Sequence, residues 1–426
     1  MALAKPVIET PAVEAATSSL TASPQRWWLL ALLFSAMLII YVHRGAFSVA
    51  APFMAAELHL SKAEIGLILS AFFWVYAFMQ IPAGWIVDRW GTKTAYSLGF
   101  LFWSVAAALE GAGRGVASLV GFRVAVGAGQ AISFPASARA VANSFNQRER
   151  GTVTGIYLTG VRFGTALVNA VGALFLARYS WRLFFLIIGL VPLIWLLPWN
   201  KFSQKWETTS TTQRNNETAK LPFLQTLALL RRRTVMGIFL GYFAYDYVWF
   251  IFVTWLPTYL FERKFSPSEM AVYSSVPYLP MSAIIIVAGI LSDWLVRLRF
   301  REKRVRRIFI IAGLATACLI VPAGLVSNKM VAVVLLTISL CGLGISAPNT
   351  WTLTQAVCEK KIVGSVSGIQ NFGGNVGGII APALTGFIAH VTNSFAPAFA
   401  VAGGVLVIGM LAYGFLVDDE VNLEPA

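Results

Sequence analysis

The chain has 426 residues, of which 57% are hydrophobic and only 12% charged, with a formal net charge of +14. A soluble domain carries roughly 25% charged residues, so this supply cannot clothe a water-facing surface and the surplus apolar area must face lipid. A soluble enzyme is excluded, and the basic excess calls for a membrane explanation before a nucleic-acid one.

Residues 1–25 are rich in Ala, Thr, Ser and Pro, and the first apolar run opens at Trp27. That run is too long for a signal-peptide core, so 1–25 is expected to be a disordered cytoplasmic tail. Twelve apolar segments then follow, at 27–53, 63–86, 94–112, 116–140, 152–177, 182–200, 234–261, 269–292, 307–326, 330–356, 362–389 and 395–417. Each is close to the ~20 residues a membrane helix needs. The longest connection, 201–233, holds a polar stretch from Thr208 to Thr218, then Leu221–Leu230 and three arginines, Arg231 to Arg233. It is predicted to contain an interfacial helix with a basic edge, dividing the chain into bundles at 26–200 and 234–417, with a second tail at 418–426. The predicted fold is an all-α membrane protein of twelve transmembrane helices in two pseudo-symmetric six-helix bundles.

Lys and Arg are sorted by connection. The N-terminal tail and the even connections hold twenty-three of the 33, the odd connections seven, and the C-terminal tail none. By the positive-inside rule both termini are expected in the cytoplasm. Three cations remain inside spans, Arg44, Arg123 and Arg162, against one carboxylate assigned there, Asp246. Charge at that depth is costly, ~2.5–3.5 kcal/mol on insertion scales, and belongs in a wet interior. A cationic excess there needs a counter-ion, and guanidinium binds carboxylates bidentately. The expected partner is a small organic or phosphate anion. Arg44 lies too deep in its span to snorkel easily to the interface. Cys318, Cys341 and Cys358 show neither metal nor disulfide spacing, and His43, His59 and His390 are far apart. No catalytic constellation, metal site or cofactor is expected.

The two halves repeat a loop. Between spans 2 and 3 the chain reads Gly84-Trp-Ile-Val-Asp88-Arg89-Trp-Gly91-Thr-Lys93, and between spans 8 and 9 Gly289-Ile-Leu-Ser-Asp293-Trp-Leu-Val-Arg297. Gly lets helices approach and Asp can cap or pair with a neighbouring helix end, so Gly84, Asp88, Arg89, Gly91, Asp293 and Arg297 are assigned to gating. These loops resemble the signature of the major facilitator superfamily. The resemblance runs from about residue 26 to 417. It narrows to the anion:cation symporter branch through Tyr41-Val-His-Arg44, Gln80 to Trp85, Phe134 to Arg139, Thr254 to Tyr259 and Gln370 to Ile379. That branch includes bacterial galactonate, hexuronate and glucarate transporters and animal vesicular glutamate and sialin carriers. The fifth span, around Gly160 and Gly164, lacks the proline-containing signature of drug:proton antiporters.

The resemblance implies substrate contacts at Tyr41, Arg44 and Tyr76, coupling of proton and substrate at Arg123, and polar contacts at Thr350, Trp351 and Asn371. Arg162 is either a second anion anchor, suited to a dianion, or a partner for Asp246. Interhelical hydrogen bonding is the other reading of Thr350, Trp351 and Asn371. Two family carboxylates are missing. His43 stands in place of the Asp before Arg44, and Gln130 in place of the Glu seven residues after Arg123. His43 is the expected carrier of a coupling proton, together with Asp246; Na+ is the other coupling ion considered. The function expected is import of a small organic anion, chiefly a sugar acid, by a monomer in the bacterial cytoplasmic membrane. An uncoupled facilitator or anion exchanger, and a non-transporting sensor on the same scaffold, are the alternatives.

Overall fold

The computed structural model describes residues 25–145, 147–207, 228–359 and 362–417, and these are almost entirely helical. Both expected tails, and residues 208–227 with most of the expected interfacial helix, lie outside the described residues. Span 1 is Gln25–Leu58, span 2 Lys62–Trp90 and span 3 Thr92–Glu110. Span 4 is broken into Val116–Gln130 and Ser133–Ser144, and span 5 is Gln147–Leu176. Span 6 runs Trp181–Leu190, a 3-10 turn, then Leu196–Glu207. Span 7 is Arg233–Glu262, and span 8 is Pro267–Tyr273 with Tyr278–Arg297. Span 9 is Glu302–Ala317 with Ile320–Leu325, span 10 Lys329–Val357, span 11 Val363–Thr392 and span 12 Ala396–Leu411. Eleven are long and apolar enough to cross a membrane. The remaining one, Thr92–Glu110, has 19 residues including Lys93, Tyr96, Ser97 and Ser104, which dilute its hydropathy.

The halves repeat in packing as well as in sequence. Pairings 1–5, 2–4, 3–4 and 3–6 recur as 7–11, 8–10, 9–10 and 9–12, and the halves meet through 1–7, 2–11 and 5–8. Spans 2 and 8 also open alike. The Ser61 hydroxyl accepts the Glu64 N–H while the Glu64 carboxylate accepts the Ser61 N–H at 2.8 Å, and Ser266 and Glu269 repeat the arrangement, with the Ser266 N–H donating at 2.7 Å. Each box satisfies orphan donors of a helix start.

Breaks inside spans are where the halves or the site are built. Pro277 is the last residue of the break in span 8, and there the Asn169 amide of span 5 donates to the Ser274 carbonyl at 2.8 Å while the Ser275 hydroxyl donates to the Ala166 carbonyl at 3.0 Å. A carbonyl released from its helix in an apolar medium must find such a donor. At the end of the bundle opposite the termini, Lys62 pairs with Glu262 at 2.9 Å, Phe53 packs on Phe261, and the Ser48 hydroxyl donates to the Thr254 carbonyl. Spans 2 and 11 close there backbone to backbone. A Cβ on Gly66 would lie 2.6 Å from the Pro382 carbonyl oxygen and 3.2 Å from the Gly386 Cα. Nearer the termini on the same helices, a Cβ on Gly84 or Gly368 would meet no described atom within 4 Å. Gly66→Val is expected to destabilise the protein by about 1–3 kcal/mol through overpacking, read as a lower melting midpoint in detergent.

The repeated loops differ in detail. Gly91 sits at φ 81 between spans 2 and 3, a left-handed conformation that glycine adopts without strain. The Arg89 guanidinium lies over the Trp85 ring at 5.4 Å, and Arg139 donates to the Val87 carbonyl at 3.1 Å. The Asp88 side chain lies outside the described residues. In the second half the basic partner of Asp293 is Arg306 of span 9, at 2.6 Å, whereas Arg297 is exposed. Arg306 also donates to Ser292 at 2.7 Å and to Asn349 at 3.4 Å, tying spans 8, 9 and 10 together. The expectation that the Asp pairs with a neighbouring helix end is met here by Arg306, in the first turns of span 9.

Candidate functional site

Span 4 breaks after Gln130 for a local reason. The Ser133 hydroxyl donates to the Gln130 carbonyl at 2.5 Å, and Gly127 and Gly129 upstream let the helix press against Phe72 and Trp103. The break holds the Gln130 carboxamide in the interior, where its oxygen accepts from Arg44 Nε at 3.0 Å. Arg44 is 6% exposed. Its guanidinium lies 4.8 Å from the Tyr41 ring, 4.7 Å from Phe72 and 4.5 Å from Tyr76, and one nitrogen donates weakly to the Tyr41 hydroxyl at 3.4 Å. The other, Nη2, is buried without a partner. The cation is thus oriented by three rings and a neutral acceptor, and one donor is left over.

Across the centre, on span 5, the Arg162 guanidinium stacks on Trp249 at 4.1 Å. Asp246 is within electrostatic reach of Arg162, and Tyr41 within reach of Arg44, Tyr76, Arg162 and Asp246. A Cβ on Gly374 of span 11 would collide with the Asp246 carboxylate, so a glycine makes room for it. Tyr242, one turn before Asp246, meets the Trp351 indole edge-on at 5.4 Å. The structure therefore gathers Tyr41, Arg44, Tyr76, Gln130, Arg162, Asp246 and Trp351 between spans 1, 2, 4, 5, 7 and 10.

Thr350 and His43 point elsewhere. The Thr350 hydroxyl donates to the Ala347 carbonyl of its own helix at 2.9 Å and is fully buried. Asn371 is half-buried on span 11 and its carbonyl accepts from Asn375 at 2.9 Å. His43 is 1% exposed and its ring is turned to span 6, where Nε2 lies 2.7 Å from the Ile188 carbonyl. A carbonyl partner makes that nitrogen the donor, and Nδ1 is buried without a partner.

Arg123 lies behind Phe72, 5.5 Å from that ring and 4.9 Å from Phe47. Its ion-pair partner is Glu110, at 3.5 Å, with the Glu110 side chain 1% exposed. Asp246 is therefore joined by a second buried carboxylate that the tally of span charges omitted. Glu110 stands near the end of the third apolar segment, 13 residues before Arg123. A Glu inside a predicted span, followed in the next span by an Arg with no carboxylate assigned to it, was the available signal.

The chain matches the family model described as Major Facilitator Superfamily over residues 33–382. It is 31% identical over 415 residues to the D-galactonate transporter of Escherichia coli O6:H1, covering 93% of this chain and 96% of that protein. It is 32% identical over 391 residues to the hexuronate transporter of Bacillus subtilis, covering 90% and 93%. Among solved structures, an inward-facing, unoccupied bacterial homologue of the human lysosomal transporter Spinster superposes with a TM-score of 0.74 at 19% identity, over 93% of this chain and 95% of that one. A D-xylose-proton symporter superposes with a TM-score of 0.71 at 17% identity, over 92% and 98%.

Proposed function

The chain belongs to the major facilitator superfamily, and from that premise we propose that it imports a monocarboxylate sugar acid, of the aldonate or hexuronate type, together with a proton. It is a transporter and not an enzyme. Its two halves rock about the central site, and both termini face the cytoplasm of a bacterial inner membrane. The lysine and arginine bias of the connections supports that orientation, and the names of the curated relatives support the substrate class.

The observation that carries the reading is the environment of Arg44. Among the described residues, the charged groups around the site are the guanidiniums of Arg44, Arg123 and Arg162 and the carboxylates of Glu110 and Asp246. Glu110 is paired with Arg123, and Asp246 stands within reach of Arg162. Arg44 faces Gln130, Tyr41 and Tyr76, all neutral, and no carboxylate pairs with it among the described residues. One positive charge is left over, with an unused donor, and one carboxylate of a substrate matches both. The aromatic faces of Tyr41, Tyr76 and Trp351 suit the carbon chain of a sugar, and Asp246 can accept from its hydroxyls.

The test is uptake into proteoliposomes. Labelled D-galactonate and D-glucuronate are expected to be taken up at least about tenfold faster, at equal concentration, than the dianions galactarate and glucarate, the tenfold corresponding to about 1.4 kcal/mol. Faster uptake of the dianions would make Arg162 the second anchor and overturn the charge count. Uptake of none of the four would overturn the substrate class.

A further inference from the structure

We propose that Glu110 carries the coupling proton in this chain, and that Arg123 relays its protonation state to the substrate site. The proposal rests on the proton-coupled reading above. Neither position at which the branch is expected to hold a carboxylate has one here, since His43 and Gln130 occupy them. His43 points at span 6 and Gln130 serves Arg44. A buried carboxylate is nonetheless present one span away, and in the anion-binding reading it does no more than offset Arg123.

Its setting fits a proton carrier. Glu110 is the last residue of span 3, and the residues at 112 and 114 are exposed, so its carboxyl group is buried within a turn of solvent at the end opposite the termini. Its contact with Arg123 is 3.5 Å, long beside the 2.7–2.9 Å typical of charged pairs, and Arg123 Nε is buried with no partner. Burying both charges is costly unless the geometry is good. The pair is therefore held loosely, and a proton on the carboxylate can replace the guanidinium as its partner. The charged and titratable groups around it are few. Arg123 faces it from span 4, with His43 of span 1 within electrostatic reach of Arg123. Arg182 of span 6 donates to the Gly111 and Gly113 carbonyls beside it and is itself paired with Glu57 of span 1.

Phe72 connects this pair to the substrate. Its ring lies 5.5 Å from the Arg123 guanidinium and 4.7 Å from that of Arg44. With Glu110 ionised, Arg123 is held toward span 3. When Glu110 takes a proton, Arg123 keeps its positive charge without a counter-charge, and the substrate carboxylate beyond Phe72 becomes its nearest anion. Binding of the proton and binding of the anion thus favour one another. When the anion leaves on the other side, Arg123 returns to Glu110 and the carboxyl releases its proton. One proton and one monoanion cross together.

The experiment compares wild type, Glu110→Gln and Glu110→Asp in proteoliposomes loaded with D-galactonate. Two quantities are read: the concentration ratio reached under an inward proton gradient at clamped voltage, and the pH profile of counterflow, which needs no net proton movement. Glu110→Gln is expected to bring the concentration ratio from well above one to about one. Counterflow is expected to persist and to lose its pH dependence. A Glu110→Gln protein that concentrates substrate like wild type overturns the assignment while leaving coupled transport standing. A wild type that only equilibrates overturns the coupled reading and this assignment with it. If Glu110→Gln shows no counterflow, Glu110→Asp decides: a displaced pH profile supports the proposal, and one superimposable on wild type overturns it.

Discussion

Replacing Arg44 by Lys is expected to cut uptake of a monocarboxylate sugar acid by roughly two orders of magnitude, about 3 kcal/mol, in the range found when a buried charged contact loses its geometry. Charge is conserved in this change, so the loss isolates shape. The guanidinium is planar and spreads its donors, which lets it address Gln130 and Tyr41 while Nη2 is spare. A lysine ammonium is a compact point charge. It can reach Gln130 or the substrate but cannot hold both, and it stacks less well between Phe72 and Tyr76. Initial uptake rates, with ligand-induced thermal stabilisation as a second reading of binding, check this. Uptake within threefold of wild type would place the substrate carboxylate elsewhere.

Gln130→Glu is expected to raise KM for the same substrate at least about tenfold at neutral pH and to make that KM strongly pH-dependent. The sign follows from one contact. In the wild type the carboxamide oxygen takes Arg44 Nε at 3.0 Å and contributes no charge. An ionised carboxylate at the same place satisfies Arg44 internally, so an incoming anion must compete for a cation already neutralised, and like-charge repulsion adds to the cost. As pH falls the introduced carboxyl is protonated, the competition ends and affinity recovers. KM should therefore fall with falling pH in the variant more steeply than in wild type. A variant with unchanged KM at neutral pH would show that Arg44 is not the anion's anchor.

The architecture was legible because it follows from properties that are local in the chain. Apolar segments of the right length gave the spans, and the structure extends most of them by a few residues, to Lys62–Trp90 from 63–86 for example. The Gly-Asp loops signalled duplication. The paired capping sequences Ser61-Lys-Ala-Glu64 and Ser266-Pro-Ser-Glu269 were a second and unused sign of it. Tyr41, Arg44, Tyr76, Arg162, Asp246 and Trp351 were all named, and they do converge. What escaped depends on partners far apart in sequence. Glu110 counts as deep because Arg123 and the packed start of span 6 enclose it, not because of its neighbours in the chain. Thr350 and Trp351 are adjacent, yet one turns its hydroxyl into its own helix and the other reaches Tyr242. Arg306 partners Asp293 because the chain reverses between spans 8 and 9.

The glycines along the seam between spans 2 and 11 bear on how variants of this protein should be scored. Gly66 and Gly84 are eighteen residues apart, as are Gly368 and Gly386, and eighteen residues make about five helical turns, so each pair shares a face of its helix. One end of the seam is crowded, and at the other a Cβ on Gly84 or Gly368 meets no described atom within 4 Å. A bulky side chain at Gly66 or Gly386 announces itself in any measure of folding. At Gly84 or Gly368 an added Cβ meets no described neighbour in the present conformation, and a bulky side chain there is expected to obstruct chiefly a conformation in which that end closes. A variant library sorted on expression or thermal stability will retain large residues at 84 and 368, and growth on the transported sugar acid as sole carbon source will remove them. Positions that look permissive in one conformation can thus be among the most constrained in a protein that must visit two.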